Sequence, residues 1–208
     1  MFRKQLFDTS RGRIVALLQR SELTVDEIAA ELTVSPNAIR VQITAMERDG
    51  VVERVGLRPG TTRPSQLYHL TAEVEQLLSR AYVPLLTHVV GVFANHLAAA
   101  EMVDVLRDAG RGLADQLLGG KRPAGSIESR VNTASELLNQ ELGALTFVEK
   151  NGGYTIRGHG CPLAAVTGKH PAVCVAMEQF VSELVGATAR ECCDRSERPR
   201  CCFHISDQ

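Results

Sequence analysis

The sequence predicts a mainly helical protein whose C-terminal part mixes helices and strands. Apolar residues recur at helical spacing through most of residues 10–118, and β-rich runs are short and lie mostly in the last third of the chain. With 44% hydrophobic and 23% charged residues, the composition is that of a folded protein rather than a disordered one. At about 100 to 200 residues per domain, 208 residues allow more than one domain. The predicted segments are 1–71, 72–120 and 121–208.

Three short helices are predicted in the first fifty residues. Apolar positions at helical spacing begin the first helix near residue 10. The second begins at Thr24, where Glu27 completes a capping box: its carboxylate and the Thr24 hydroxyl each accept a free backbone N–H. Ser35 before Pro36 begins the third, because the hydroxyl satisfies a free donor and proline at the first helical position has none to satisfy.

A basic hairpin is predicted after the third helix. The stretch "VVERVGLRPGTTRPSQLYHL" contains two β-rich runs around a tip that holds Arg58, Gly60 and Arg63. Three helices, the last two joined by a tight turn and followed by such a hairpin, are typical of a winged helix-turn-helix domain. In this arrangement the third helix enters the major groove of DNA, and the wing reaches phosphates or the neighbouring minor groove.

One face of the third helix is expected to contact DNA. Ile39, Ile43 and Met46 form its buried stripe, so the opposite side is available. Arg40 can pair with guanine and Asn37 with adenine, and the arginines of the wing can bind phosphates. The predicted DNA-binding residues are Ser35, Asn37, Arg40, Thr44, Arg48, Arg58 and Arg63.

The DNA interpretation has an alternative. Polar residues outside the buried stripe of a helix are often only a solvated face, and winged domains also bind proteins. The combined pattern of helices, tight turn and basic hairpin is more specific than any one of these residues. We therefore expect a double-stranded DNA operator as the partner.

The middle segment, 72–120, is predicted to be helical. Its apolar residues recur at helical spacing, and Pro84 is expected to break it into separate helices. Such a segment after a winged domain commonly joins two subunits, so we expect a homodimer; packing within one chain is the alternative. The sequence "GGKRPAGS" at 119–126 is the predicted linker to the last segment.

The last segment, 121–208, is predicted to be an α+β sensor domain that holds all six cysteines. Ser126 caps an amphipathic helix, and β-rich runs around Asn151, Gly152 and Gly153 predict a hairpin, because such turns need positive φ. A helix over about 171–187 and a strand near 202–205 complete the prediction.

The six cysteines predict a site that binds a metal ion or a cluster, or that carries out redox chemistry. The chain shows neither a signal peptide nor the roughly 18 consecutive apolar residues of a membrane span, so we expect a cytoplasmic protein that does not enter a membrane. Thiols are kept reduced there, which favours metal or cluster ligation, or redox chemistry, over structural disulfides.

The cysteine spacing leaves the kind of centre open. Cys161, Cys174 and the adjacent pairs at 192–193 and 201–202 are separated by long, unequal gaps, which suit a cluster held between elements better than a zinc knuckle. At most one cysteine of each pair is expected to ligate, because consecutive side chains diverge. Cys174 can also be an inert core residue, and Cys202 an ordinary strand residue. The substitute ligands are His159, His170 and His204. The loop "DRSERPR" places Arg195, Arg198 and Arg200 near the thiols, where positive charge favours thiolates.

Nearly the whole chain resembles a known family. The winged domain with "TRPSQLYHLT", then "GCPLAAVTGKHPAVC" and "PRCCFHI", is similar to the SufR-like iron–sulfur-cluster-binding regulators of the ArsR/DeoR type. The resemblance implies a dimeric repressor with a [4Fe-4S] cluster and carries over to Cys161, Cys174 and Cys201. The family spacing places the remaining ligand near Thr188, where this chain has no cysteine. Cys193 is therefore the expected ligand, with Cys192 as its substitute.

Other functions stay open at this point. A regulator of the same architecture can hold zinc. It can also bind an organic ligand, since the C-terminal sequence resembles small-molecule-binding domains of the vinyl-reductase type. An enzyme or electron carrier is least favoured, because the sequence has no phosphate-binding glycine loop, nucleophile–base pair or paired carboxylate motif. We therefore expect a regulator and no enzyme.

Overall fold

The computed structural model describes residues 8–60, 63–150 and 152–206. The chain forms two compact units, residues 1–80 and 81–208. The helix at 72–78 belongs to the first unit, and the helices from residue 82 onward pack with the C-terminal elements. The division thus differs from the three predicted segments, because the middle helices share the core of the last segment.

The first unit contains helices and a small antiparallel sheet with strand order β1-β3-β2. Its apolar core includes the fully buried side chains of Ile14, Ile28, Ile43 and Leu70. The elements are α1 (Ser10–Leu18), β1 (Leu23–Thr24), α2 (Val25–Leu32), α3 (Pro36–Arg48), β2 (Val52–Arg58), β3 (Ser65–Leu70) and α4 (Ala72–Leu78). The winged helix-turn-helix prediction is confirmed.

The predicted helix starts are confirmed in atomic detail. Thr24 Oγ1 accepts the Glu27 N–H at 3.3 Å, while the Glu27 carboxylate accepts the Thr24 N–H at 2.8 Å. Ser35 Oγ accepts the Ala38 N–H at 3.3 Å, and Pro36 is the first residue of α3. These caps satisfy donors that the first helical turn leaves free and thereby fix the tight turn between α2 and α3.

The second unit packs helices on a four-stranded antiparallel sheet with strand order β4-β5-β7-β6. Ile156, Phe180, Phe203 and Ile205 are fully buried at its centre. The elements are α5 (Tyr82–His96), α6 (Ala99–Leu118), α7 (Ile127–Leu142), β4 (Thr146–Lys150), β5 (Tyr154–Gly158), α8 (Ala164–Thr167), a 3₁₀ turn (Pro171–Val173), α9 (Cys174–Val185), β6 (Ala189–Glu191) and β7 (Cys202–Ile205). The predicted α+β character is confirmed.

Two predicted details need comment. The predicted division of this segment into separate helices is confirmed, but the break lies at residues 79–81; Pro84 lies in the first turn of α5, where a missing N–H breaks no helical bond. The predicted hairpin turn includes Asn151, which lies outside the described residues; Gly152 within it has φ +69°.

Helices α6 and α9 approach each other closely at Gly110. A Cβ atom on Gly110 would lie 2.2 Å from the carbonyl oxygen of Ala176. The missing side chain therefore sets the distance between α6 and α9, and with it the position of Cys174, the first residue of α9.

No single helix in the described residues is long and apolar enough to cross a membrane. By length and composition alone, only α4 and α5 taken together, with the break between them, reach the required span.

Candidate functional site

The exposed face of α3 presents the predicted contact residues. Asn37, Arg40, Thr44 and Arg48 are all exposed, whereas Ile39, Ile43 and Met46 on the other side are at most 3% exposed. The Thr44 hydroxyl donates to the Arg40 carbonyl oxygen at 2.9 Å, so its oxygen stays available as an acceptor. This face can therefore offer a guanidinium, an amide and a hydroxyl oxygen to DNA bases and phosphates.

Val41 lies on the same face and was missed by the sequence reasoning. Its side chain is 62% exposed, although valine is usually buried. Asn37, Val41, Thr44 and Arg48 follow one another at spacings of four, three and four residues and thus form one stripe on the helix. An exposed methyl group in such a stripe can contact the methyl group of thymine.

The two predicted arginines of the wing have different surroundings. Arg58, at the end of β2, donates to the Glu27 carboxylate at 2.7 Å and to the Glu22 carbonyl oxygen at 3.1 Å. Its guanidinium thus joins the wing to the start of α2. Arg63 is exposed in the wing loop, beside residues 61–62, which lie outside the described part.

The second unit brings four cysteines from separate places in the chain into one group. Cys161 follows β5, Cys174 begins α9, and Cys193 and Cys201 lie just beyond the ends of β6 and β7. The thiols interact in sequence: Cys161 with Cys201, Cys201 with Cys193, and Cys193 with Cys174. We call these four residues the thiol group; they are the four ligands that the sequence reasoning favoured.

The pairing of β6 with β7 explains why the two cysteines of each adjacent pair lie on different faces. The register pairs Glu191 with Phe203, and the isolated bridge between Asp194 and Arg200 continues the same register. Positions 192 and 202 therefore face each other, as do 193 and 201. Because successive side chains of a strand point to opposite faces, the two cross-strand pairs lie on different sides.

One of these cross-strand pairs is a disulfide. Cys192 and Cys202 are joined by a disulfide, with 4.8 Å between their Cα atoms. Ligation was expected in preference to disulfides, and for this pair that expectation is wrong because the ladder places the two sulfurs face to face. Cys161, Cys174, Cys193 and Cys201 remain free thiols.

The thiols of the group polarise one another. A hydrogen bond from the Cys201 thiol lowers the pKa of Cys161 to about 6, and one from the Cys174 thiol holds the pKa of Cys193 well below its ordinary value. The pKa values of Cys174 and Cys201 are raised, first because they donate these hydrogen bonds and second because they are buried. Near neutral pH the group therefore holds thiolates at Cys161 and Cys193.

Charged residues border the thiol group on its Cys174 side. The Arg195 guanidinium interacts with the Cys174 sulfur and also binds the Glu191 carboxylate at 2.6 and 2.8 Å. Arg200 lies 3.9 Å from the Asp194 carboxylate, and Arg198 is exposed. Of the three predicted arginines, Arg195 is thus the one placed to compensate thiolate charge.

The candidate substitute ligands have other neighbours. The ring of His159 stacks on Phe147 at 5.0 Å, His204 Nδ1 lies 3.3 Å from the Thr155 hydroxyl, and the His170 ring lies beside Gly91.

The thiols are gathered but do not yet form a coordination sphere. Within residues 8–60, 63–150 and 152–206, no three His, Cys, Asp or Glu side chains are arranged to hold a single metal ion. The thiol–thiol interactions run from Cys161 through Cys201 and Cys193 to Cys174. Their chemistry, four soft sulfur donors of which two are already thiolates, fits an iron–sulfur cluster or zinc.

Comparisons with known proteins found a family match within the first unit and similar solved structures. Residues 8–54 match the family model described as bacterial regulatory protein, arsR family. No curated protein matches the chain. Among solved structures, an apo mutant of Lactococcus lactis ZitR is 17% identical, covers 55% of this chain and 86% of its own, and has a TM-score of 0.29. Bacillus subtilis PadR in complex with operator DNA is 14% identical, covers 83% of this chain and 94% of its own, and has a TM-score of 0.28. The matched residues span α1 to the start of β2, so the similarity to the arsR family of bacterial regulatory proteins lies in the helix-turn-helix part of the first unit.

Proposed function

We propose that this protein is a DNA-binding transcriptional repressor whose operator affinity is controlled by an iron–sulfur cluster of the [4Fe-4S] type. The cluster would be held by Cys161, Cys174, Cys193 and Cys201. The observation that carries the proposal is the convergence of these four thiols, from four places in the chain, next to a separate disulfide that leaves them free.

The DNA-binding part of the proposal rests on the first unit. Its arsR-family match coincides with a helix, α3, whose buried stripe leaves Asn37, Arg40 and Thr44 exposed together. Arg40 is the residue best suited to a guanine base, because guanidinium can donate two parallel hydrogen bonds to the N7 and O6 acceptors. Arg48 and Arg63 are suited to phosphates, which position the domain without reading sequence.

The thiol group supplies what a cluster needs from the protein. Cluster iron binds thiolate rather than thiol, and Cys161 and Cys193 are already in that form near neutral pH. The Arg195 side chain interacts with the Cys174 sulfur and would compensate part of the negative charge there once Cys174 ligates as a thiolate. When bound, the cluster would supply an iron-dependent, oxidation-sensitive centre.

The chain itself would transmit the state of this centre. Cys161 follows β5, Cys174 begins α9, and Cys193 and Cys201 belong to the β6–β7 ladder, so a common ligand would tie all three parts of the second unit together. Without it, these parts are linked by their packing and by hydrogen bonds, such as those that pair β5 with β7. The two states therefore differ in the rigidity of the second unit.

We also propose that two copies pair through one face of α5. This face, which we call the α5 seam, consists of exposed side chains that repeat every seven residues and contains no Asp, Glu, Lys or Arg: Tyr82, Leu85, Leu86, Val89, Val92 and Phe93. An uncharged, self-similar seam suits a second copy of the same helix, since an isologous contact brings identical residues together without like-charge repulsion. Dimers then place two α3 helices on successive half-sites of DNA.

The nature of the centre can be tested on protein purified without oxygen. The proposal predicts a brown protein with a broad visible absorbance band and with iron and acid-labile sulfide in equal amounts. Cys174→Ser should lose most of this absorbance, whereas His159→Gln should keep it, because His159 stacks on Phe147. A colourless protein with one zinc per chain would overturn the cluster, and a protein without any metal would favour an organic ligand.

A further inference from the structure

We propose that the Cys192–Cys202 disulfide is a second redox site, which exchanges with dithiol reductants. This disulfide, which we call the clasp, closes the loop that carries two ligands of the thiol group. The inference deepens the proposed function and rests on it for the role of the ligands. The disulfide itself is independent of any metal.

The clasp closes a short loop around two members of the thiol group. The disulfide joins residues ten positions apart, and both Cys193 and Cys201 lie between them. Residues 194–198 and Arg200 are exposed, so packing holds this loop only weakly. Backbone hydrogen bonds join Asp194 to Arg200 at 2.9 and 3.1 Å and Cys192 to Cys202 at 2.8 Å, and Cys201 is also bonded to Gly158 and Gly160 at 2.8 and 3.2 Å. A covalent link at the base of such a loop restricts the separations that Cys193 and Cys201 can adopt.

The disulfide is accessible to a reductant from the Cys192 side. Cys192 is exposed, whereas Cys202 is 3% exposed in the core of the second unit. A polar cavity of about 220 Å³, lined by Arg157, Asp194, Arg200, Cys201 and Cys202, opens beside the Cys202 residue. Attack at Cys192, the exposed residue of the pair, is therefore the open route, and the departing Cys202 thiolate has a polar space beside it.

The exchange follows ordinary thiol–disulfide chemistry. A thiolate of the dithiol reductant attacks Cys192 Sγ, the Cys192–Cys202 bond breaks, and Cys202 leaves as a thiolate that takes up a proton. The second thiolate of the reductant attacks the mixed disulfide and releases Cys192, which is protonated in turn. The protein gains two electrons and two protons, and the reductant ends as its own disulfide.

Reduction does not add ligands to the thiol group. Positions 192 and 202 form a cross-strand pair adjacent to that of 193 and 201, and adjacent pairs in a ladder point to opposite faces. The released thiols therefore lie on the far side of the ladder. What changes is the freedom of Cys193 and Cys201, so the clasp sets how well they hold a metal centre.

Peptide mapping tests the disulfide first. After alkylation of free thiols, trypsin should release residues 191–195 linked to residues 201–208, since each peptide contains one cysteine of both cross-strand pairs. We expect the link in wild-type protein isolated without reductant and in C193S/C201S, and its loss in C192S/C202S. Six alkylated cysteines in the wild type, or a link lost in C193S/C201S and kept in C192S/C202S, overturns the site.

Cobalt binding tests the clasp. Co²⁺ alone, titrated without oxygen, gives a thiolate-to-cobalt absorbance band that reports binding by the thiol group. We expect the affinity of C192S/C202S to be about tenfold weaker than that of the wild type, a loss typical of disturbed ligand support. Ser196→Ala in the same loop should bind as the wild type does.

Reduced wild-type protein is the control for a folding defect in C192S/C202S. Wild type treated with a phosphine reductant and desalted should show the same loss as C192S/C202S, with an unchanged circular dichroism spectrum. Equal affinities before and after reduction overturn the clasp. If the wild type itself shows no thiolate-to-cobalt band, the clasp is overturned, whereas the proposed function is decided separately by the iron and acid-labile sulfide content, and the exchange site by the peptide map.

Discussion

At the scale of single residues, Arg40 carries the most specific claim about DNA. We expect Arg40→Ala to weaken binding to the preferred DNA sequence by about 1–3 kcal/mol and to relax the choice of base at one position. The reason is the loss of two parallel hydrogen bonds to a guanine. Fluorescence anisotropy with the preferred DNA and with single-base variants of it measures both effects.

The matched control is Arg107→Ala, which removes the same charge from an exposed position on α6. It should leave specific affinity nearly unchanged. Equal losses in the two variants would mean that Arg40 acts only through net charge.

The thiols differ in reactivity because they differ in pKa. In reduced, metal-free protein the lowered pKa of Cys161, about 6, keeps it a thiolate above that pH, while the raised pKa of Cys174 keeps it protonated. Iodoacetamide reacts with thiolate only, so Cys161 should be labelled at pH 7 and much more slowly below pH 6, and Cys174 should resist at both. Mass spectrometry of the labelled peptides follows each residue; faster labelling of Cys174 than of Cys161 would contradict the assignment.

At the scale of elements, the α6–α9 contact gives a stability prediction. Gly110→Ala should destabilise the protein by about 1–3 kcal/mol, because the new methyl group would overlap the Ala176 carbonyl oxygen. Gly112→Ala, two residues on, meets nothing within 4 Å and should be neutral or stabilise by about 0.5–1 kcal/mol. Urea unfolding of both variants checks the difference, and equal free energies of unfolding would show that the helices do not depend on Gly110.

The α5 seam gives a prediction about assembly. Leu85, 62% exposed, lies within the seam, and Leu85→Glu should dissociate the dimer because it would place two carboxylates against an apolar surface. Sedimentation equilibrium should then show a monomer. Leu145→Glu, a comparably exposed leucine outside the seam, should leave the dimer intact; a monomeric wild type would refute the pairing itself.

The elements show what the sequence can and cannot predict. Local signals such as the Thr24–Glu27 capping box and the Ser35–Pro36 helix start act over a few residues, so they appear directly in the sequence and are found in the structure. The adjacent cysteines at 192–193 and 201–202 likewise predicted side chains that point in different directions, because this signal is also local. Which cysteine of each pair joins the thiol group depends on the register of β6 against β7, and that is fixed by packing of distant residues.

Long-range pairing explains the other differences. Arg58 was predicted as a phosphate contact from its place in a basic loop, but its guanidinium lies against Glu27, 31 residues away in the chain. The exposure of Val41 has no signal in hydrophobicity; only its spacing from Asn37 and Thr44 places it on the outer face of α3. The Arg58 contact therefore depends on tertiary structure, whereas the position of Val41 follows from helical spacing within α3.

At the scale of the whole molecule, one chain combines a DNA-binding unit with a unit that holds a thiol group. The first claim is supported by the arsR-family match over α1 to the start of β2, together with the exposed face of α3. The second rests on four converging thiols. The central claim is that occupancy of the thiol group controls DNA affinity, and it requires a difference in free energy of DNA binding between two states of one protein.

That difference can be measured directly. A preferred DNA sequence is first selected from a random library by protein kept without oxygen, and its dissociation constant is then measured for the same preparation with the cluster and after the cluster is removed by a chelator. We predict that the cluster-loaded protein binds about 5- to 150-fold more tightly, the range typical of coupled sites. Equal dissociation constants for the two states, at the same salt concentration, would contradict it.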